Sequence, residues 1–183
     1  MERFKKNSNI LNRKPTRLKG YNYNQAGAYF VTICTHEMKK LFGRIIDGAL
    51  DLNIYGNIAK REWFHTTVAR PYIELHEEEI VIMPDHIHGI IWITEVGATG
   101  SVARKTSPGL DPCSLGVIVG QYKSRTAKLI NRIRKTPGKK IWQRNYYDRI
   151  IRNEKELHSI RRYIINNPLQ WEDDQGKSLH NFF

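Results

Sequence analysis

The stretch "IMPDHIHGII", residues 82–91, decides the fold, because it joins a tight Pro-Asp turn to an apolar run that is typical of a buried strand. Two histidines, His86 and His88, stand one residue apart inside this run. Side chains alternate between the two faces of a strand, so residues i and i+2 project from the same side. We therefore expect both imidazoles to share one face, while Ile87 points from the other face into the core.

The segments around this stretch predict an α+β domain with the element order β-α-β-β-α-β-α. Single strands are predicted over 28–36, 72–84, 86–96 and 140–152, with a short hairpin within 41–53. Helices are predicted over 53–69, 115–135 and 154–167, the last two capped by Ser114 and Asn153. Helices that alternate with antiparallel strand pairs favour a ferredoxin-like antiparallel sheet with helices packed on it.

The chain is predicted to hold one domain, residues 21–171, between a basic N-terminal arm, 1–20, and a weakly structured tail, 172–183. The arm carries seven Lys/Arg and one Glu without apolar periodicity. A Gly/Pro/Ser-rich stretch, 97–112, predicts a long loop inside the domain.

Charge and cysteine content narrow the class of protein. The 30 Lys+Arg against 18 Asp+Glu give a net charge of +12, which favours a polyanionic partner such as nucleic acid, although a merely solubilising surface is the alternative. The two cysteines, Cys34 and Cys113, form no disulfide framework, so we expect free thiols in a reducing cytoplasm. No apolar run is long enough to cross a bilayer, and the basic N-terminus lacks the apolar stretch of a signal peptide.

The His-x-His pair is a two-nitrogen chelate for Mg, Mn or Zn if oxygen ligands complete the shell. Two polar histidines on a half-exposed strand are the alternative. The stretch "RRYIINNPLQW", residues 161–171, offers a partner, because Tyr163 and Asn167 are four residues apart and share a helix face. Asn167 could give its amide oxygen to the ion, and the phenol of Tyr163 could attack a phosphodiester. Pro168 disfavours helical geometry at Asn167.

From the residues alone, other tyrosines compete with Tyr163 for the role of nucleophile. They are Tyr122, Tyr146 and Tyr147, and a partly buried structural ring is the commoner role of any of them. Tyr146 and Tyr147 alternate faces of the last predicted strand, so one of them should be in the core.

Residues 121–149 hold ten Lys/Arg and one Asp, with aromatic residues interleaved. Such a pattern suits phosphate contacts and stacking on unpaired bases, although a solvated helix face is the alternative. We expect Trp142 to be core. The predicted DNA-binding residues are Arg13, Lys14, Arg17, Lys19, Lys123, Arg125, Lys128, Arg132, Lys139, Lys140, Arg144 and Tyr147.

The ordered set of motifs resembles a known family. "MPDHIHGII" resembles the histidine–hydrophobic–histidine motif of the HUH single-strand endonucleases, and "YIINNP" resembles the tyrosine helix of their single-tyrosine transposase branch. Together with "GAYFVTICTH", "LFG" and "IWQRNYYDRIIRNEKEL", these stretches are similar to REP-associated tyrosine transposases over residues 17–171. Asp85 stands where asparagine is frequent in that family.

The resemblance implies the HUH endonuclease fold and a specific chemistry. It implies that His86, His88 and Asn167 bind a divalent metal, Mg or Mn, and that Tyr163 is the nucleophile that leaves a 5′-phosphotyrosine and a free 3′-hydroxyl. The implied partner is single-stranded DNA that carries a REP-type hairpin, handled by a monomer or a homodimer at the cytoplasmic nucleoid. Two alternatives stay open: a non-catalytic, repressor-like DNA-binding protein on the same fold, and a two-histidine zinc nuclease that uses water and forms no covalent adduct.

Overall fold

The computed structural model describes residues 21–23, 25–95 and 113–171. Within these ranges the elements are β1 (Gly27–Cys34), β2 (Gly43–Ile46), β3 (Ala49–Leu52), α1 (Ile54–Val68), β4 (Ile73–Glu74), β5 (Ile80–Ile82), β6 (His86–Ile93), α2 (Leu115–Arg134), β7 (Tyr147–Ile151) and α3 (Glu154–Gln170). The predicted arm, residues 1–20, the predicted tail, 172–183, and the loop predicted over 97–112 all lie outside the described residues.

One antiparallel sheet forms the centre of the domain. The strands lie in the order β4, β6, β1 and β7, and β5 pairs with β6 on the same side as β4. Strands β2 and β3 form a separate two-stranded sheet. This arrangement confirms the predicted α+β class, with an antiparallel sheet and helices packed on it.

The two faces of the sheet carry different helices. On one face, Ile87 and Ile91 of β6 belong to the main apolar core with residues of α1 and α2. On the other face, Ile90 packs in a second core with Leu157 and Ile164 of α3. Alternation along β6 therefore sends His86 and His88 toward α3, and the prediction that Ile87 points into the core on the opposite side is confirmed.

The three helices begin where the sequence predicts. Asn53, Ser114 and Asn153 precede α1, α2 and α3, and each side chain accepts a hydrogen bond from a backbone N–H of the first turn. Such caps satisfy N–H groups that have no partner within the helix. None of the helices in the described ranges is both long and apolar enough to cross a bilayer.

Two strands are shorter than predicted. The segment 72–84 is not one strand, because a 3-10 turn at Glu77–Glu79 separates β4 from β5 and turns Glu79 into the protein. The segment 140–152 forms a strand only at β7, while Trp142 makes an isolated bridge to Thr35. In both cases a side chain is buried by a local detour of the backbone, which a pattern of alternating residues does not reveal.

Helix α3 also differs from the prediction, because it continues through Pro168 to Gln170 instead of ending before the proline. Proline removes one backbone hydrogen bond of the helix, but this loss falls in the last turn. The Pro168 ring is buried, so packing offsets part of that loss. The helix therefore carries Tyr163 and Asn167 on one continuous stretch.

Candidate active site

The two histidines lie at the start of β6 and are almost completely buried. In the β1–β6 ladder, His86 stands opposite Cys34 and His88 stands opposite Thr32. Paired residues of an antiparallel ladder project from the same face, so the end of β1 forms one wall of the site.

The Nδ1 atom of each imidazole is held by a different neighbour. His86 Nδ1 lies 2.6 Å from Asp85 Oδ1, and His88 Nδ1 lies 2.8 Å from Thr32 Oγ1. A carboxylate can only accept a hydrogen bond, so His86 donates through Nδ1, and its Nε2 is turned toward His88. Fixing one ring nitrogen in this way is the usual means by which proteins orient the other nitrogen toward a metal ion.

The two Nε2 atoms converge to a separation of 3.0 Å. Burial lowers the pKa of His88 well below its usual value, and the neighbouring His86 lowers it further. His88 is therefore neutral at physiological pH, as a metal-binding imidazole must be. If its Nδ1 carries the proton, the neutral His88 ring directs the electron pair of its Nε2 toward the Nε2 of His86.

The phenol of Tyr163 reaches the same point from α3. Its Oη lies 3.0 Å from His88 Nε2, and its ring stands edge-on to the rings of His88 and Phe30. Strand β6 and helix α3 are 75 residues apart at this contact. The fold thus brings the predicted nucleophile to the predicted metal-binding pair.

The other tyrosines lie elsewhere. Tyr122 is buried on the opposite face of the sheet and donates its hydroxyl hydrogen bond to the Ala59 carbonyl. Tyr146 packs against the main core, whereas Tyr147 is exposed, so the expectation that one of this pair is core is confirmed.

Asn167 is buried on α3, four residues after Tyr163. Because the helix continues through Pro168, the i, i+4 relation between Tyr163 and Asn167 holds despite the proline. Among the described residues, no hydrogen bond connects the Asn167 amide to either histidine. Its assignment as the third ligand stays a prediction.

The histidine pair fits a divalent ion. Two ligands in adjacent positions of an octahedral ion at about 2.1 Å lie about 3.0 Å apart, which matches the distance between the two Nε2 atoms. In the described ranges, no group of three or more His, Cys, Asp or Glu side chains is arranged to hold a metal. An amide oxygen such as that of Asn167 is a suitable further ligand for Mg²⁺ or Mn²⁺.

A buried ion pair fixes α3 against the sheet. Glu79 is fully buried; its Oε1 accepts hydrogen bonds from Arg161 Nε at 2.8 Å and Nη2 at 2.6 Å. Its Oε2 accepts a hydrogen bond from Trp92 Nε1 at 2.6 Å. Arg161 precedes Tyr163 on α3, and Trp92 follows His88 on β6. This cluster therefore joins the helix that carries the phenol to the strand that carries the imidazoles.

The predicted DNA-binding residues of α2 fall into two groups. Lys123 Nζ donates to the carbonyls of Gln143 and Arg144 at 2.7 and 3.0 Å, and burial lowers its pKa. Arg125 donates to the buried Glu62 at 2.9 Å. Both cations therefore have partners within the protein.

The remaining predicted contact residues within the described ranges are exposed. They are Lys128, Arg132, Lys139, Lys140, Arg144 and Tyr147. Lys128 and Arg132 lie on α2, which packs on the face of the sheet opposite to α3. Arg13, Lys14, Arg17 and Lys19 lie outside the described residues.

Sequence reasoning missed four residues of the site: Asp85, Thr32, Glu79 and Arg161. Asp85 could have been found, because a carboxylate next to a candidate metal-binding histidine is a common orienting partner. The roles of the other three depend on strand register and helix docking, which no local pattern reveals.

No model of a known protein family matches this sequence. A protein of Haemophilus influenzae, described as uncharacterized, is 38% identical over 182 residues, which cover 93% of this chain and 96% of that protein. A solved REP-associated tyrosine transposase bound to a REP hairpin shares 19% identity at a TM-score of 0.57, with 82% of this chain and 72% of that chain covered.

A crystal structure of a putative transposase from Deinococcus radiodurans R1 shares 16% identity at a TM-score of 0.46, with 82% of this chain and 95% of that chain covered. The likeness to the REP-associated transposase shows a shared fold, whereas the Haemophilus protein is a relative over nearly its whole length. The chain therefore belongs to the same protein family as the Haemophilus influenzae protein, and it has the fold of a tyrosine transposase.

Proposed function

We propose that this protein is a metal-dependent tyrosine transposase that cleaves and rejoins single-stranded DNA next to a hairpin of the REP type. The observation that carries the proposal is the convergence of His86 Nε2 and Tyr163 Oη on His88 Nε2, each at 3.0 Å. A nucleophilic oxygen beside a pair of metal-binding nitrogens is the arrangement required for attack on a phosphodiester.

His86 and His88 would hold the divalent ion, Mg or Mn, with Asn167 as a further ligand. When bound, the ion withdraws charge from the phosphodiester and stabilises the transition state. Asp85 and Thr32 keep the imidazoles oriented, and Glu79 keeps α3 seated on the sheet. The buried walls of the site limit the freedom of the phenol, so that little ordering remains to be done at the moment of reaction.

The Tyr163 oxygen attacks phosphorus in line with the leaving 3′ oxygen. The phenol loses its proton as the oxygen–phosphorus bond forms, and the bond from phosphorus to the 3′ oxygen breaks. The departing oxygen takes up a proton and becomes a 3′-hydroxyl, while the 5′ phosphate stays on the protein. Attack by another 3′-hydroxyl on this phosphotyrosine would rejoin the strands and release the tyrosine.

The likeness in fold to a transposase bound to a REP hairpin supports this choice of DNA. The exposed cations of α2 supply charge for phosphate contacts away from the site. These same cations also favour the second candidate, a non-catalytic DNA-binding protein. They lie on the other face of the sheet, so DNA binding through them would not involve the histidines.

The experiment uses a pool of single-stranded DNA hairpins with randomised loops and flanks, incubated with the protein and Mg²⁺ or Mn²⁺ and run on a denaturing gel. We expect a covalent adduct that retains a 3′ label, together with a released 5′-labelled fragment that terminal transferase can extend. The adduct should vanish with Tyr163→Phe and without metal, and persist with Tyr55→Phe, a matched change at a half-buried tyrosine of α1.

Sequencing the DNA of the adduct and the released 5′ fragment, each joined to an adapter, would give the hairpin and the cleavage site. Cleavage that survives Tyr163→Phe and gives two free fragments would instead indicate a nuclease that uses water. Tight binding without cleavage in either metal would support the repressor-like protein.

A further inference from the structure

We propose that Lys40, held against the ring of Trp171 at the edge of the active site, binds a phosphate of the DNA strand next to the one that Tyr163 attacks. The inference deepens the proposed function and rests on it. The ligand of this subsite is the phosphodiester backbone of single-stranded DNA, recognised by charge.

The backbone around Lys40 is fixed to the start of β6. The N–H groups of Leu41 and Phe42 donate to the Pro84 carbonyl at 2.7 and 3.0 Å, and the Thr35 N–H donates to the Asp85 carbonyl at 2.8 Å. Pro84 and Asp85 lead directly into His86. The position of Lys40 relative to the histidines is therefore set by the same turn that begins the strand.

Trp171 links Lys40 to the site. Its ring lies 5.8 Å from the His86 ring, measured between centroids, and Lys40 Nζ lies 5.8 Å from the indole centroid. An ammonium over an aromatic face is attracted by the ring quadrupole. The Trp171 indole, at the end of α3, thus keeps the Lys40 ammonium close to His86. The Lys40 side chain itself stays exposed to solvent.

The neighbouring cations Lys39 and Arg161 each form an ion pair with a carboxylate, whereas Lys40 forms none among the described residues. Lys39 Nζ lies 2.7 Å from Glu37 Oε2, and Arg161 is bound to Glu79. No carboxylate in the described part of the chain pairs with Lys40. An ammonium without a counter-ion beside a site for phosphodiesters is available for an anion.

The geometry also favours a phosphate of the same strand. A DNA strand that presents one phosphate to Tyr163 continues past the edge of the site. There, its adjacent phosphates would meet the Lys40 ammonium. Grooves that bind single strands combine such cations with aromatic rings, as Lys40 and Trp171 do here.

The test compares Lys40→Ala with Lys39→Ala, which removes the same charge from the adjacent exposed residue. The substrate is one intact hairpin whose sequence was identified as cleaved in the randomised pool. For Lys40→Ala we expect adduct formation at subsaturating DNA to slow by about tenfold, and the slope of log affinity against log salt to fall by about 0.7. Lys39→Ala should stay within about twofold of the wild type, and Lys40→Arg should restore most of the rate.

A second measurement locates the phosphate. Uncharged methylphosphonate linkages are placed singly at each position around the cleaved bond, and binding is measured with Tyr163→Phe, which does not cleave. We expect one neutral linkage adjacent to the cleavage site to weaken binding, and to lose this effect when Lys40→Ala is added.

Two outcomes would overturn the inference while the proposed function stands. One is an adduct formed equally fast by Lys40→Ala and Lys39→Ala; the other is a methylphosphonate effect that persists in the absence of Lys40. If the wild type forms no adduct with any member of the pool, the proposed function fails and the inference fails with it.

Discussion

The Asp85 carboxylate shows how much a single residue contributes to the site. Its Oδ1 lies 2.6 Å from His86 Nδ1, so it fixes which nitrogen of that ring faces His88. Asparagine, frequent at this position in the family that the sequence resembles, offers an oxygen that could accept the same hydrogen bond. The orienting contact therefore needs an acceptor, and the negative charge strengthens it.

We predict that Asp85→Ala weakens Mn²⁺ binding by about 10- to 100-fold, the usual effect of losing a partner that orients a metal ligand. Asp85→Asn should lose less, because an acceptor remains. Isothermal titration of Mn²⁺ into each variant measures this, with Asp51→Asn, at an exposed residue paired with Arg44, as the control. Unchanged affinity in Asp85→Ala would contradict the role assigned to Asp85.

The buried His88 predicts a pH dependence of stability for the metal-free protein. Its pKa is lowered in the folded state by burial, so below the unfolded pKa of about 6.5 the unfolded chain binds a proton that the folded chain does not. The free energy of unfolding should therefore fall as the pH drops from about 6.5 toward the folded pKa, by at most about 1.4 kcal/mol per pH unit from this group.

Urea unfolding in the presence of a chelator, at a series of pH values between neutral and mildly acidic, tests this prediction. His88→Gln should flatten the dependence, whereas His65→Gln, which changes an exposed histidine on α1, should leave it unchanged. A dependence that is the same in both variants would show that His88 is not its source.

At the scale of the elements, the contact between α3 and the sheet depends on Glu79. Glu79 is buried, whereas the Arg161 side chain is 32% exposed and can be hydrated in part when its partner is lost. We expect Glu79→Gln to lower the free energy of unfolding by about 2 kcal/mol, the usual contribution of hydrogen bonds to a charged group. The matched change Glu78→Gln, at an exposed residue of the same 3-10 turn, should have little effect. Urea denaturation of the two variants measures the difference, and equal stabilities would rule out the proposed docking role.

Two glycines inside helices give a further prediction, because their surroundings are opposite. A Cβ at Gly120 of α2 would meet nothing within 4 Å, whereas a Cβ at Gly56 of α1 would lie 2.2 Å from the Phe42 carbonyl oxygen. Gly120→Ala should therefore stabilise the protein by up to about 1 kcal/mol through helix propensity. Gly56→Ala should destabilise it, since a backbone group would have to move; thermal unfolding of the two variants would contradict this if both shifted in the same direction.

At the scale of the whole molecule, the basic surface of α2 and the candidate active site lie on different sides of the sheet. The exposed Lys128 and Arg132 are on α2, while the His86–His88–Tyr163 site faces α3. Under the proposed function, the DNA is bound at both surfaces and cleaved only at the second.

We predict that Lys128→Ala combined with Arg132→Ala reduces hairpin affinity and lowers its salt slope by about 1.4 to 1.8, as expected for two phosphate contacts. The rate of adduct formation at saturating DNA should stay close to the wild type. The converse is expected for Tyr163→Phe, which should bind normally without forming an adduct. Fluorescence anisotropy over a salt series and single-turnover gels measure the two quantities, and a double variant that binds as tightly as the wild type would contradict this assignment.

The sequence by itself determined the local features. Alternation along 86–93 predicted that both histidines share a face, the caps at Ser114 and Asn153 predicted the starts of α2 and α3, and the balance of charge predicted a polyanionic partner. These features follow from the period of a strand, from the unpaired N–H groups of a helix and from a count of charges, all of which are set by neighbouring residues.

Only the tertiary structure decided which groups meet. Tyr163 was one of four candidate tyrosines until the packing of α3 brought its oxygen to His88, and Thr32 gained its role from the register of β1 against β6. The 3-10 turn that buries Glu79 beside Arg161 interrupts the single predicted strand between β4 and β5, and Lys123 is bound to carbonyls within the protein. These contacts join residues 20 to 82 positions apart, and their formation depends on how helices dock and strands align, which no short stretch of sequence encodes.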